Sequence, residues 1–340
     1  MLRKVKVEEA IGLALAHDVT KVVPGVSKGP GFRRGHVIRQ EDIPELLKLG
    51  KEHVYVLELR EGELHEEEAA RRISQAIGGR GIEFTEPSEG RVNLKAQVFG
   101  LLKVNKDLLR RINSIGDIVV STLHNLTVCQ PGTTVAGTRI IPLIIDETII
   151  KRVEELCQQN GRVVEVLPFR RRKVGAIITG NEVFKGRIED GFGPIIRRKV
   201  KQLGSVLEHK VIVPDDAEVI ARAMKELICK GVEVVIICGG LSVDPDDVTA
   251  EGVRGAGARI ISYGAPVLPG SMFLYAVYQG VPILGAPACV LYNPTTILDL
   301  ILPRVLAGDQ VSREDIIDLG HGGLCLGCRR CSFPVCPFGK

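Results

Sequence analysis

KVGAIITGNEV at residues 173–183, VLEHKVIVPDD at 206–216 and VEVVIICGGLSVDPDDVT at 232–249 decide the fold of this chain. Each opens on a run rich in Val and Ile and closes on Gly, hydroxyl or carboxylate residues. Short apolar runs bounded by turn residues are strands covered on both faces. Val174 to Thr179, Val206 to Val213 and Val232 to Cys238 are therefore expected as strands. Segments of helical period lie between them: Pro194 to Leu203, stopped by Gly204, and Ala217 to Cys229, stopped by Lys230-Gly231. Val281 to Leu284 reads as a late strand and Thr295 to Leu306 as a last helix. Strands alternating with helices imply βαβ units and a parallel sheet.

Upstream the pattern differs. Val7 to Ala16 has helical spacing. PGFRRGHVIRQEDIPELLKLG (30–50) contains a short Val37-Ile38 strand and a helix from about Glu41 to Gly50, and His53 to Leu57 reads as a strand. Residues 61–80 look helical and charged. Val98 to Val104, Ile118 to Thr122 and Arg139 to Ile145 make the 91–145 region β-rich, and a helix is expected over Glu147 to Gln159. Four units follow: a small α+β unit (1–60), a helical then β-rich middle domain (61–172), an α/β domain (173–308) and a Cys-rich tail (309–340).

Bulk properties narrow the function. A chain of 340 residues with 45% hydrophobic and 25% charged residues is ordinary for a globular protein. The net charge of +4 suits an anionic small ligand and is too weak to argue for nucleic acid. No apolar run approaches the ~20 residues a membrane span needs. Glu8 and Glu9 interrupt the N-terminus too early for a signal peptide. A cytoplasmic protein is expected. The basic clusters Arg33-Arg34, Arg170 to Lys173 and Arg197 to Lys199 read as solvated surface, with phosphate contact as the rival reading.

Ligands of open parallel sheets bind beyond the carboxyl ends of the strands. Those exits are Thr179-Gly180-Asn181-Glu182, Pro214-Asp215-Asp216, and Gly239-Gly240-Leu241-Ser242 running on to Asp247 and Thr249. A Gly-Gly pair lets backbone N–H groups come close to a phosphate, though it also suits a plain tight turn. Asp215 and Asp247 are expected on neighbouring exits, where two carboxylates would bind Mg²⁺; for either one alone, a helix N-cap is the simpler role.

TGNEV at 179–183, VPDD at 213–216, GGLSVDPDDVT at 239–249 and the Pro269-Gly270 step together resemble the molybdenum-cofactor biosynthesis (molybdopterin-binding) domain family, closest to its molybdopterin molybdotransferases. The resemblance implies a three-layer α/β/α sandwich. It implies catalytic roles for Asp215, Asp247 and Glu182. Thr179, Gly180, Asn181, Gly239, Gly240 and Ser242 would bind the pterin and its terminal phosphate, together with Pro269, Gly270, Pro287 and Asn293. Asn181 stands where molybdotransferases carry Asp, and the GLPGNP loop of the family is replaced by Gly285-Ala286-Pro287-Ala288-Cys289 through Asn293-Pro294. Cys289 in that loop reads as a buried inert thiol, with contact to molybdenum as the alternative.

The tail carries Cys325-x₂-Cys328-x₂-Cys331-x₄-Cys336-Pro337. This resembles the ferredoxin run with one extra residue before the last Cys, and four thiolates satisfy either a [4Fe–4S] cube or a zinc site. His321 is a weaker candidate ligand.

The function expected is binding of molybdopterin, or its adenylylated form, with insertion of molybdate or tungstate by a transferase that uses Mg²⁺. The alternative is a non-catalytic carrier or sensor working with a molybdoenzyme or another cofactor-assembly protein. An ATP-dependent adenylyltransferase and a CinA-type hydrolase rank behind these. A homo-oligomer is expected, with no nucleic-acid or membrane partner.

Overall fold

The computed structural model describes residues 2–23, 27–57, 59–242 and 247–340. The chain divides into two compact units. One comprises residues 1–98, 103–123 and 129–166, and the other comprises 99–102, 124–128 and 167–340.

In the first unit, Leu2–Lys6 pairs antiparallel with His53–Leu57. A local core of Val7, Ala10, Leu15, Ile38, Leu46 and Val54 gathers around that pair. The expected helix over Val7 to Ala16 does not form. A single 3₁₀ turn covers Val7–Glu9, Gly12 takes a left-handed φ of 81°, and Ala14 and Leu15 bridge to Val37 and Val56. The apolar spacing there serves extended pairing instead of one helix face. Val37 makes only an isolated bridge, and the following helix is a Gln40–Asp42 turn leading into Ile43–Lys48. The β-rich reading of 91–145 holds for Gly100–Val104, Ile118–Thr122 and Thr134–Ile140, but an unforeseen helix, Lys106–Asn113, is capped by Asn105 within it. The strand expected from Arg139 to Ile145 breaks at 141–143, and its second part, Ile144–Asp146, pairs with Glu63–His65.

The second unit is built on a six-stranded sheet. Its order is Val206–Val213, Lys173–Thr179, Val234–Cys238, Val281–Ala286, Leu274–Tyr278 and Arg259–Tyr263. The first four are parallel and the last two antiparallel. Strand alternation sends successive side chains to opposite faces. Ala176, Ile178, Ile236 and Leu284 pack with Ile196, Val200, Ile297 and Ile301 of the helices Phe192–Gln202 and Ile297–Ala307. Ile177, Val235, Ile237 and Ile283 pack on the other side with Ile220, Met224 and Val253 of the helices Ala217–Cys229 and Thr249–Gly255. This is a three-layer α/β/α sandwich with an antiparallel edge. No helix among the described residues is long and apolar enough to cross a membrane.

Two helices of one face approach closely through Gly252. A Cβ there would lie 2.9 Å from the Ala217 carbonyl oxygen and 3.0 Å from Ile220 Cβ, both on the neighbouring helix. Gly252→Ala is expected to destabilise the protein by about 1–3 kcal/mol through overpacking, measured by urea unfolding, despite the better helix propensity of Ala.

Candidate functional site

The parallel strands all end on one side of the sheet. The register Leu274↔Gly285 brings the 264–273 connection to that side as well. Four of the sequence-expected segments therefore share one rim: Thr179–Glu182, Asp215, Gly239–Ser242 with Asp247, and Pro287–Asn293. Pro269 and Gly270 join them from the 264–273 connection. The Val243-Asp244-Pro245-Asp246 part of the Gly-Gly loop lies outside the described residues.

The centre of the rim is a close contact between two adjacent strand exits. Gly239 and Gly240 take φ values of 98° and 60°. A Cβ on Gly239 would stand 2.5 Å from the Thr179 carbonyl oxygen, and one on Gly240 would stand 2.5 Å from Thr249 Oγ1. Only glycine combines that conformation with that space. Thr249, fully buried, donates its hydroxyl to the Gly239 carbonyl at 2.9 Å, which fixes the turn against the next helix. Thr179 is 3% exposed and its Oγ1 has no hydrogen-bond partner among the described residues. Native proteins rarely leave such a group unpaired. The hydroxyl is closed off beneath the glycine turn, so a phosphate arriving at this rim would meet the backbone N–H groups of the turn and not the Thr179 side chain.

The carboxylates divide by role. Asp216 is the N-cap of the Ala217–Cys229 helix, accepting from the backbone N–H groups of Glu218 and Val219 at 2.9 and 3.0 Å. Asp215 is thereby free of capping and reaches sideways, where its Oδ2 accepts the Asn181 N–H at 2.8 Å. Asp247 Oδ2 accepts the Ser242 N–H at 2.6 Å and closes the Gly-Gly loop on itself. The expected adjacency of Asp215 and Asp247 fails. The Lys173–Thr179 strand runs between their strands, and each carboxylate is engaged with a backbone N–H instead of with the other. Among the described residues no three His, Cys, Asp or Glu side chains are placed to share a metal ion. No step is routed through magnesium. Glu182 is exposed, and its carboxylate folds back over Gly180, whose φ is 146°.

The far side of the rim is held by groups that the sequence reading overlooked. Lys199, from a triplet read as surface or phosphate-facing, is 6% exposed. Its ammonium donates to the Pro294 carbonyl at 2.9 Å and pairs with Asp299. Asp299 also accepts the Thr296 N–H in a capping box at the start of the last sheet-covering helix. The Thr-x-x-Asp spacing was the available signal. Asn293 donates both its backbone N–H and its side-chain amide to the Cys289 carbonyl, so its side chain folds the loop. Burial raises the Cys289 thiol above its usual pKa, which keeps it protonated and supports the inert reading. Asp190 was also missed. It accepts from Phe192 and Gly193 N–H at 2.9 Å each and pairs with Lys210 at 2.7 Å. Burial opposes its ionisation, but Lys210 and these N–H groups outweigh burial and hold the pKa below the usual carboxylate value.

The tail cysteines are not gathered. Cys325 and Cys336 are half-buried against the core, whereas Cys328 and Cys331 are exposed.

Comparison with known proteins follows the same division. Residues 175–316 match the family described as "Probable molybdopterin binding domain", and that segment is a domain of this family. Residues 4–58 match a domain of unknown function. A CinA-like protein of Geobacter sp. (strain M21) is 39% identical over 89 residues, 26% of this chain and 21% of that protein. A CinA-like protein of Mycobacterium avium (strain 104) is 36% identical over 79 residues, 23% and 18% of the two chains. This chain thus spans about a fifth of the length of these curated relatives. Among solved structures, the tungsten cofactor synthesizing protein MoaB of Pyrococcus furiosus is similar at 21% identity and a TM-score of 0.34, covering 42% of this chain and 99% of that one. The molybdopterin biosynthesis MoeA protein of Pyrococcus horikosii is similar at 15% identity and a TM-score of 0.33, covering 91% and 75%.

Two variants report on this rim. Lys199→Met leaves the partly buried Asp299 carboxylate without its cation and is expected to cost about 2–3 kcal/mol in unfolding free energy. Asp190 has a folded pKa below its unfolded value, so its contribution is complete above the unfolded Asp pKa of about 3.9 and is lost as pH falls through the folded value. Asp190→Asn should therefore lower stability at neutral pH and flatten the acid limb of a stability–pH profile.

Proposed function

We propose that the 173–306 domain binds molybdopterin, or its adenylylated form, by the terminal phosphate, and that the chain inserts molybdate or tungstate into that substrate as a transferase. The observation that carries the binding step is the left-handed Gly239–Gly240 turn at a strand exit, packed directly on Thr179, whose buried hydroxyl has no partner among the described residues. Ser242 and Asn181, whose N–H groups are tied to Asp247 and Asp215, sit on the loops flanking it. Asp215 and Asp247 thus act as positioning residues that shape the phosphate and pterin loops. Glu182, exposed over Gly180, is the carboxylate available to meet molybdate or water. Pro269, Gly270, Pro287 and Asn293 line the opposite rim as backbone-shaping residues of the pterin site.

The name of the matched relatives favours a second reading, a CinA-type activity on the same loops. A carrier that binds molybdopterin without turnover is the third. These readings share the phosphate cradle and part company at chemistry.

Thr179→Val separates the turn from the hydroxyl beneath it. It removes an unpaired buried hydroxyl at nearly constant volume, so stability should hold or rise by up to about 1 kcal/mol, while affinity for molybdopterin stays unchanged. A loss of roughly tenfold, or about 1.4 kcal/mol, would mean that the hydroxyl itself meets the phosphate. Turnover of adenylylated molybdopterin with molybdate, abolished in Glu182→Gln, would establish the transferase. Tight binding without turnover would leave the carrier, and the absence of any molybdopterin binding would overturn the reading.

A further inference from the structure

The Cys tail lies at the edge of the matched segment and beyond it, yet it is attached to two segments of the candidate rim. The Leu268 N–H donates to the Gly323 carbonyl and the Cys325 N–H donates back to the Leu268 carbonyl, both at 2.8 Å. Leu268 is directly followed by Pro269 and Gly270. Gly270 in turn packs so tightly on Ile297 that a Cβ would stand 2.6 Å from Ile297 Cγ2. At the other end of the tail, Cys331 Sγ lies 3.3 Å from the buried Thr295 hydroxyl, two residues after Asn293. The tail therefore touches the 268–270 step through Cys325 and the 293–296 loop through Cys331.

Around these attachments the tail is loosely packed. Phe338 is buried in the core, but Leu324, Leu326 and Val335 are 71–83% exposed. A cavity of about 800 Å³ lies beneath, lined by Arg198, Leu300, Cys331, Phe333 and Phe338. Four thiols at C-x₂-C-x₂-C-x₄-C spacing on a short, loosely packed segment are a donor set for a thiophilic metal.

We propose that Cys325, Cys328, Cys331 and Cys336 form one thiophilic metal centre, and that closing it draws Cys331 away from Thr295 while the Gly323–Cys325 bridge to Leu268 persists. Each thiol releases its proton to solvent as it binds. The four sulfurs are apart in the metal-free arrangement, so binding requires movement. Cys325 is fixed by backbone bonds and Cys336 by core packing, which leaves the 326–335 segment as the part that moves. The cargo is either Zn²⁺ or a [4Fe–4S] cube, which share the demand for four thiolates. The metal site stands without the pterin reading, and metal uptake is measured without any pterin; only the consequence at 293–296 bears on the pterin loop.

The experiment uses the full chain, purified anaerobically and then offered either Zn²⁺ alone or equal amounts of Fe²⁺ and Fe³⁺ with sulfide, which supply the iron oxidation states of a [4Fe–4S]²⁺ cube. One zinc, or on the order of four irons with a visible charge-transfer band, is expected per chain and identifies the cargo. Cys328→Ser, at an exposed position, should abolish uptake with unchanged circular dichroism. Hydrogen exchange in the loaded protein should slow across the 326–335 amides, which the metal would order, and stay unchanged at the Cys325 amide. Failure of both metals to bind, or wild-type metal content in Cys328→Ser, overturns the site. Unchanged exchange across 326–335 in loaded protein overturns the movement.

Discussion

The contact between Thr179 and the Gly239–Gly240 turn is the constraint on which the second unit depends. It exists because the Lys173–Thr179 and Val234–Cys238 strands are parallel neighbours, in register from Val174↔Val234 to Ile178↔Cys238. Both strands are buried on both faces, so neither can slide without exposing apolar side chains. Their ends are thereby fixed at the same height, and the two exits must share one small volume. Glycine on one exit and a small hydroxyl on the other is a combination that fits. The geometry of this turn is a consequence of sheet packing, and the proposed phosphate contact would use it as it stands.

That origin explains which parts of the sequence were legible. In 173–306 the apolar runs match the strand period and the stop residues sit where helices end, so Val206–Val213 and Ala217–Cys229 are found at the expected bounds. Elsewhere the pattern is ambiguous. Val7, Ala10 and Leu15 carry a helix-like spacing, but their burial comes from residues such as Ile38 and Val56 that are distant in sequence. A periodicity argument sees only local order, and Gly12 with a left-handed φ was the one local sign against a helix. The Lys106–Asn113 helix was masked by its flanks, since its two buried positions, Leu108 and Ile112, are too few to mark a face.

Charged residues show the same limit. Sequence marks a Lys or Arg as basic but not which way it points. Arg172 donates to the Leu306 carbonyl and pairs with Glu233, Lys199 supports the Pro294 carbonyl, and Arg34 pairs with Glu67. Members of all three basic clusters are thus struts between elements. The acidic exits have local chemistry: an Asp after a strand finds backbone N–H groups whichever role it has. What the sequence could not supply was the division of labour, with Asp216 capping, Asp215 crossing to Asn181, and Asp247 closing its own loop.

The rim is consequently asymmetric. Its near side, from Asp215 across Thr179 to Asp247, is preset by the sheet and by backbone hydrogen bonds. Its far side, from Leu268 to Thr296, depends on groups outside the sheet: Lys199 beneath the loop, Ile297 against Gly270, and the tail across Leu268 and Thr295. A ligand whose phosphate is held on the near side must extend its remaining part toward the far side to gain further contacts. Specificity for that part then rests on the elements that can differ without disturbing the sheet. The altered Pro287–Asn293 loop and the Cys-bearing tail lie together on that side, and each supports the other through the Thr295 hydroxyl and the capping box that follows it.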